Sequence, residues 1–251
     1  MLLSAEGVSK LFGGVKAINN LSFHINDGEI LGLIGPNGAG KTTLFNLISG
    51  VFKPTSGVIR FRSRAISGLK PHVVAKAGIA RTFQLTKIYS RVTVLEHVIM
   101  GEHCRTGAFV WGAISRNKAT RQEEAMTKAK ALSILEDLDL LSVRDEIAGN
   151  LFNAQQRRLM IATALAMEPQ LLLLDEPTAG MSNEETEQVV EMIQGFRKKG
   201  ITIFLIEHNM KVSMDVSDRV IVLNYGEKLT EGIPADVSRD KSVIDAYLGG
   251  E

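Results

Sequence analysis

The sequence predicts an α/β fold: a parallel β-sheet core with an antiparallel β unit at its N-terminal end and a helical unit inserted into it. Three short apolar runs, each ending in a polar cluster, carry this expectation. Residues 29–34 (EILGLI) run into Gly35-Pro36-Asn37-Gly38-Ala39-Gly40-Lys41-Thr42-Thr43. Residues 171–174 (LLLL) run into Asp175-Glu176-Pro177-Thr178, and residues 201–206 (ITIFLI) into Glu207-His208. Apolar runs of that length without polar alternation suit strands buried on both faces, as in a parallel sheet. The segments between them read as helices. Residues 183–198, for example, place Val189, Val190, Ile193 and Phe196 on one stripe, with Gly200 just past the end. Ligands of open α/β sheets bind outside the carboxyl ends of the strands, so the three polar clusters are expected to meet at one site.

In chain order, alternation of Leu21, Phe23 and Ile25 predicts an antiparallel strand within the first 28 residues. A helix is expected to open at Lys41 and run to Ser49. From residue 90 to 149 the pattern turns helical and more charged, with residues 116–137 rich in Lys, Glu and Ala, which predicts an inserted helical subdomain. Residues 219–223 and 228–231 suggest a last hairpin, and 236–248 a short helix. The whole chain, 1–251, is expected to form one domain. Its α/β core and β subdomain take residues 1–89 and 150–232, and a helical tail takes 233–251.

Composition narrows the class. With 45% hydrophobic and 23% charged residues, the chain is not of the disordered type. Lys+Arg total 29 against 28 Asp+Glu, so the net charge is +1 and a strongly basic nucleic-acid binder is not expected. The one cysteine, Cys104, excludes a disulfide framework and a cysteine-built zinc site and points to a reducing compartment. No apolar run approaches the roughly 18 residues that cross a bilayer. Residues 1–10 lack the basic-then-apolar order of a signal peptide, so a soluble, intracellular protein is expected.

Residues 35–42 fit G-x-x-x-x-G-K-[ST], the loop that joins a strand to a helix and holds phosphates. Gly35, Gly38 and Gly40 permit turns that aim successive N–H groups at phosphate oxygens, and the helix that follows adds its positive end. Lys41 supplies a point charge at the β- and γ-phosphates, and Thr42 offers a hydroxyl to Mg²⁺. Asp175 can hold Mg²⁺ through water, and Glu176 can polarise an attacking water. Acidic residues and Pro also favour helix starts, so Asp175-Glu176-Pro177-Thr178 can alternatively cap the following helix. His208, one residue past a buried strand, is a candidate γ-phosphate contact. Phe12, before Gly13-Gly14, is either a core residue of the first strand or an aromatic surface for adenine.

These motifs resemble the ATP-binding subunits of ABC transporters along essentially the whole chain. Phe12 is similar to the adenine-stacking aromatic of that family. Gly35, Pro36, Asn37, Gly38, Ala39, Gly40, Lys41, Thr42 and Thr43 resemble its Walker A loop, and Arg81-Thr82-Phe83-Gln84 its Q-loop. Residues 171–176 resemble Walker B with its catalytic glutamate, residues 178–182 the D-loop, and His208 the switch histidine. The stretches ARTFQ, VTVLEHV, LLLLDEPTAGM, LIEHNM and VIDAYLGGE resemble the branched-chain amino acid (Leu/Ile/Val) subgroup. Residues 107–114 look like that subgroup's insertion, with packing against the helical subdomain as the simpler reading.

The resemblance implies a P-loop NTPase with a RecA-like core. ATP and Mg²⁺ are the implied cofactors, with Thr42, Gln84 and Asp175 around the metal, and Glu176, His208 and Gln84 are catalytic. It further implies a second ATP-binding subunit, transmembrane permease subunits and a peripheral place on the cytoplasmic face of the inner membrane, with no nucleic-acid partner. Two such subunits sandwich two ATP molecules, each bound by one subunit's Walker loops and the other's signature motif, LSGGQ. Here that motif reads Leu151-Phe152-Asn153-Ala154-Gln155. Thr163 stands where an arginine is usual, and Ser182 where the D-loop has aspartate. The expected function is therefore an ATPase that energises an importer for branched-chain or related amino acids. The alternatives are a nucleotide-binding subunit with impaired turnover and a non-transport ABC protein.

Overall fold

Each of the three apolar runs forms a strand buried along its full length: β3 (Ile30–Ile34), β7 (Leu171–Asp175) and β8 (Thr202–Ile206). Successive side chains of a strand point to opposite faces, so a run that is apolar throughout needs a core on each side. Leu171, Leu173, Phe204 and Ile206 enter one core, while Leu172, Leu174, Ile203 and Leu205 enter another. The computed structural model describes residues 1–82, 88–103 and 118–248. Gln84, Cys104 and the 107–114 segment lie outside the described residues, as do the last three residues of VIDAYLGGE.

Among the described residues, β3, β7 and β8 belong to a six-stranded sheet with β6 (Ile79–Arg81), β9 (Arg219–Asn224) and β10 (Glu227–Gly232), in the order β10-β9-β3-β8-β7-β6. All neighbours in it are parallel except the β9–β10 hairpin, as the sequence predicted for this part of the chain. A second, antiparallel sheet has the order β2-β1-β4-β5, from β1 (Leu3–Phe12), β2 (Val15–Ile25), β4 (Ser56–Phe61) and β5 (Arg64–Ala65). It therefore extends well past residue 28, because β4 returns to pair with β1.

Helix α1 (Lys41–Ile48) and the antiparallel sheet close one core, with Phe45 and Phe204 at its centre, ring centroids 5.0 Å apart. After α2 (Pro71–Lys76), helices α3 (Val94–His103), α4 (Lys118–Asp137), α5 (Asn153–Ala166) and α6 (Asn183–Lys198) contribute to the core on the other face. Helix α5 starts after residue 149 and packs on both α3 and α4. The helix read at 183–198 is α6, with Val189, Ile193 and Phe196 buried. A third cluster gathers Ile34, Val220 and Val222 with α7 (Met210–Val216), α8 (Pro234–Val237) and α9 (Lys241–Leu248).

The short helix expected at 236–248 is two helices. The break has a local cause: Asp240 Oδ1 accepts from Ser242 N at 2.9 Å and from Ser242 Oγ at 2.6 Å, a side-chain-to-backbone turn that starts α9 anew. No helix among the described residues is long and apolar enough to cross a membrane.

Candidate active site

Because β3, β7 and β8 run parallel, their carboxyl ends lie on one edge, and the loops that leave them meet there. The loop after β3 turns sharply through Gly35 (φ 152°) and Gly40 (φ 103°) before α1 begins at Lys41. Neither position tolerates a side chain. A Cβ on Gly35 would stand 2.1 Å from Leu223 O, and one on Gly40 would stand 2.4 Å from Ala17 O. The β9–β10 turn braces the loop from outside, where Gly226 N donates to Ala39 O at 3.0 Å.

The loop encloses a cavity of about 210 Å³ lined by Lys41, Thr42, Thr43, Glu176 and His208 together with Asn37–Gly40 and Ala17. Lys41 is buried, and its Nζ donates to Gly35 O at 2.6 Å and Pro36 O at 3.0 Å. Burial lowers its pKa from the usual lysine value, against the carboxylates of Glu176 and Asp175, which favour the ammonium. Residues contributed by three separate strand ends thus face one space.

Asp175 is the last residue of β7 and almost fully buried. Its Oδ2 accepts from Arg81 Nη2 at 2.9 Å, whereas its Oδ1 is buried with no hydrogen-bond partner among the described residues. Burial raises the carboxyl pKa, and the Arg81 guanidinium works in the opposite direction. An orphaned carboxylate oxygen beside a phosphate loop fits a hard divalent cation held through water. Among the described residues no group of three or more His, Cys, Asp or Glu side chains forms a self-contained metal cage. A cation that takes its other ligands from Thr42, phosphate and water needs none.

Glu176 sits at φ 51°, in the left-handed region that non-glycine residues rarely adopt. Its backbone is fixed at both ends: Glu176 N donates to Ile206 O at 2.9 Å, and Glu176 O accepts from Arg157 Nη1 at 3.0 Å. Its side chain meets His208, with Nε2 to Oε1 at 2.7 Å. The alternative reading of 175–178 as a helix cap fails. The next helix, α6, starts only at Asn183, and Ser182 caps it by accepting from Glu185 N at 3.2 Å while Glu185 Oε2 accepts from Ser182 N at 2.8 Å.

Phe12 is not a core residue: it is 42% exposed, edge-on to Phe52 at 5.2 Å and 5.0 Å beneath the Lys10 ammonium. It does not line the phosphate-loop cavity. In the 151–155 segment Leu151 is buried and anchors the turn, and Phe152 is 80% exposed at the N-cap of α5. Gln155 Oε1 accepts from Phe152 N at 3.2 Å, and Asn153 and Ala154 open the helix. Thr163 Oγ1 lies 2.9 Å from His97 Nδ1.

Three contributors to this geometry escaped the reading of the sequence. Arg81 appeared only as part of a motif, yet it is the buried partner of Asp175 and also donates to Asn46 Oδ1 at 2.6 Å. Arg157 follows the 151–155 segment and reaches back to Glu176. Glu207 precedes His208 and bonds Thr178. A charged residue next to a motif has no signature of its own, and only the meeting of strand ends gives these three their partners.

Comparison with known proteins agrees with this architecture. A family model described as ABC transporter matches residues 18–179, and one described as branched-chain amino acid ATP-binding cassette transporter matches residues 227–251. The chain is 39% identical to the high-affinity branched-chain amino acid transport ATP-binding protein LivG of Salmonella typhimurium, over 99% of this chain and 98% of that protein. It is 36% identical to the corresponding BraF protein of Pseudomonas aeruginosa over the same shares. A crystal structure of the ADP conformation of an ATP-binding cassette of an ABC transporter superposes with a TM-score of 0.86 at 33% identity, covering 100% of this chain and 99% of that one. The chain belongs to the ABC transporter family as an ATP-binding cassette with the P-loop ATPase fold.

Proposed function

We propose that this cassette hydrolyses ATP to drive a membrane importer of branched-chain or related amino acids. In this reading two cassettes pair on the cytoplasmic face of the membrane and act on permease subunits there. One observation carries the reading: the convergence of Lys41, Thr42, Glu176 and His208 on a single cavity beside the orphaned oxygen of Asp175. The names and high coverage of the relatives support the solute class.

Each residue's part follows from its position. The loop N–H groups and the start of α1 receive phosphate oxygens, and Lys41 adds positive charge where the β- and γ-phosphates meet. Thr42 and Asp175 would hold Mg²⁺, which neutralises charge on the transferring phosphoryl group. Glu176 orients the attacking water and accepts its proton at a carboxylate oxygen. His208, bonded to that carboxylate, fixes its direction toward the γ-phosphate. Gln84 completes this set by family resemblance, and Phe12 offers its exposed ring to adenine. Little covalent chemistry is asked of the protein, so positioning and charge carry the rate.

A second reading, a subunit that binds nucleotide but turns it over slowly, is favoured by Phe152. Its exposed ring offers no donor where the resemblance places the serine that reaches the partner's ATP. The test is co-expression with candidate permeases, followed by co-purification and ATP turnover in liposomes with and without branched-chain amino acids. Solute-dependent turnover supports the importer. Tight ATP binding with no turnover in the assembled complex supports the second reading.

A further inference from the structure

We propose that Glu207 is a positioning residue for hydrolysis: a buried strut that ties the Glu176 loop to the His208 loop and so holds those two side chains in register. The β7–β8 ladder ends at the pair Asp175–Ile206, and one further backbone bond links Glu176 N to Ile206 O. Beyond that point the strands no longer hold each other, yet Glu176 and His208 must stay within hydrogen-bond reach. Glu207 takes over at this gap. It is 3% exposed, and its Oε1 accepts from Thr178 N at 2.9 Å and from Thr178 Oγ1 at 2.7 Å. Both bonds come from Thr178 and end on the same carboxylate oxygen.

The tie spans the two segments that matter, since Thr178 lies two residues after Glu176 and Glu207 lies one before His208. A buried carboxylate is costly unless donors meet it, and here both Thr178 donors converge on it. A residue present only to fill space would be apolar at lower cost. Burial raises the Glu207 pKa above the usual carboxylate value, and the Thr178 hydrogen bonds work against that rise.

The inference rests on reading Glu176 and His208 as the hydrolytic pair, so the experiment begins with Glu176→Gln and His208→Ala in the permease-assembled transporter. If neither lowers turnover, that reading fails and the strut has nothing to position. If both do, Glu207→Gln tests the strut. The amide keeps the shape but is a neutral acceptor, so both Thr178 bonds lose their charge assistance. Turnover is expected to fall about 10- to 100-fold, the size of effect that a sub-ångström to 1 Å misplacement produces. KM and calorimetric Kd for ATP should stay within about twofold, because the phosphate loop is untouched. Thr178→Val removes one arm from the other side and should lower kcat in the same way, Thr178→Ser should restore it, and the Glu207→Gln/Thr178→Val double should be no worse than the poorer single. Should Glu207→Gln fail to fold, the Thr178 pair decides alone. Unchanged kcat in the Gln and Val variants, or a kcat loss matched by an equal loss of ATP affinity, overturns the proposal.

Discussion

The Arg81 guanidinium and the Asp175 carboxylate form an ion pair at 2.9 Å, with side chains only 5% and 1% exposed. It joins β6 to β7 at the strand end that carries the candidate metal ligand, and a second Arg81 nitrogen donates to Asn46 of α1. One buried cation thus aligns the phosphate-loop helix with the acidic end of β7. It leaves the other oxygen of Asp175 directed to no protein partner among the described residues.

Removing the cation strands a buried carboxylate. Arg81→Met is expected to cost about 3–5 kcal/mol of unfolding free energy, because breaking one side of a buried pair leaves an uncompensated charge. Urea unfolding at pH 7.5 measures it. A loss below about 1 kcal/mol would mean that the pair is effectively solvated, as surface pairs are.

Lys41→Ala removes the point charge of the phosphate loop. ATP affinity measured by calorimetry should weaken at least tenfold, about 1.4 kcal/mol. Equal affinities in the two proteins would remove Lys41 from the nucleotide site.

Glu176→Gln keeps the side chain's shape and removes its charge. The variant should bind ATP as the parent does, accumulate as an ATP-bound dimer and turn over slowly in the assembled transporter. Its left-handed backbone is set by Ile206 and Arg157, not by the carboxylate, so the fold should be unaffected. Unchanged turnover would assign water activation elsewhere.

Much of this site was legible in the sequence because its chemistry is local. The turns at Gly35 and Gly40, the lysine that opens α1 and the acidic end of β7 each lie within a few residues of a buried strand. Strands β3, β7 and β8 announced themselves as unbroken apolar runs because each feeds two cores. What stayed hidden depends on distant partners. Strand β6 is three residues long and is defined by pairing with β7, and β4 is fixed by its return to β1. The tail was misread as one helix because Asp240 acts through its side chain, which periodicity does not register. Arg81, Arg157 and Glu207 gain their meaning only from residues on other elements.

His97 makes stability pH-dependent. Thr163 Oγ1 donates its single hydrogen to Leu159 O at 2.8 Å, so it must accept from His97 Nδ1–H, which leaves Nε2 bare. That nitrogen is buried and has no hydrogen-bond partner among the described residues, and burial lowers the imidazole pKa below its usual value. Between that lowered value and the free value of about 6.5, the unfolded chain holds more protons than the folded one. The contribution is therefore complete above about pH 6.5 and is lost as pH falls through the unfolded value toward the folded one. His97→Asn keeps a donor for Thr163 and cannot titrate. Its unfolding free energy should drop less than the parent's between pH 7.5 and 5.5, and parallel curves would exclude His97 as the cause.

Repair of residues 152 and 153 has two separable consequences, one for stability and one for turnover. Phe152 occupies the N-cap of α5 without a side-chain acceptor, while Gln155 already returns to Phe152 N at 3.2 Å. Phe152→Ser would complete that half-made capping box and should stabilise the helix by about 0.5–2 kcal/mol. Asn153→Gly, at the first helical position, costs a few tenths of that back. Stability should therefore change little or rise, so a gain in turnover cannot be put down to rescue of a poorly folded chain. If the motif reaches the partner's ATP in trans, the new hydroxyl adds a hydrogen bond to a charged group, worth about 1.5–3 kcal/mol or roughly 10- to 150-fold in rate. The double variant should show that gain as a homodimer, where both composite sites are repaired. Paired with a cassette whose motif is already intact, it should improve only the site built on the partner's Walker loops. The gain should vanish when Glu176→Gln is added. If repair leaves homodimeric turnover unchanged while Glu176→Gln abolishes it, the Phe152-Asn153 departure is functionally silent and backbone N–H groups at the start of α5 suffice for the partner's nucleotide.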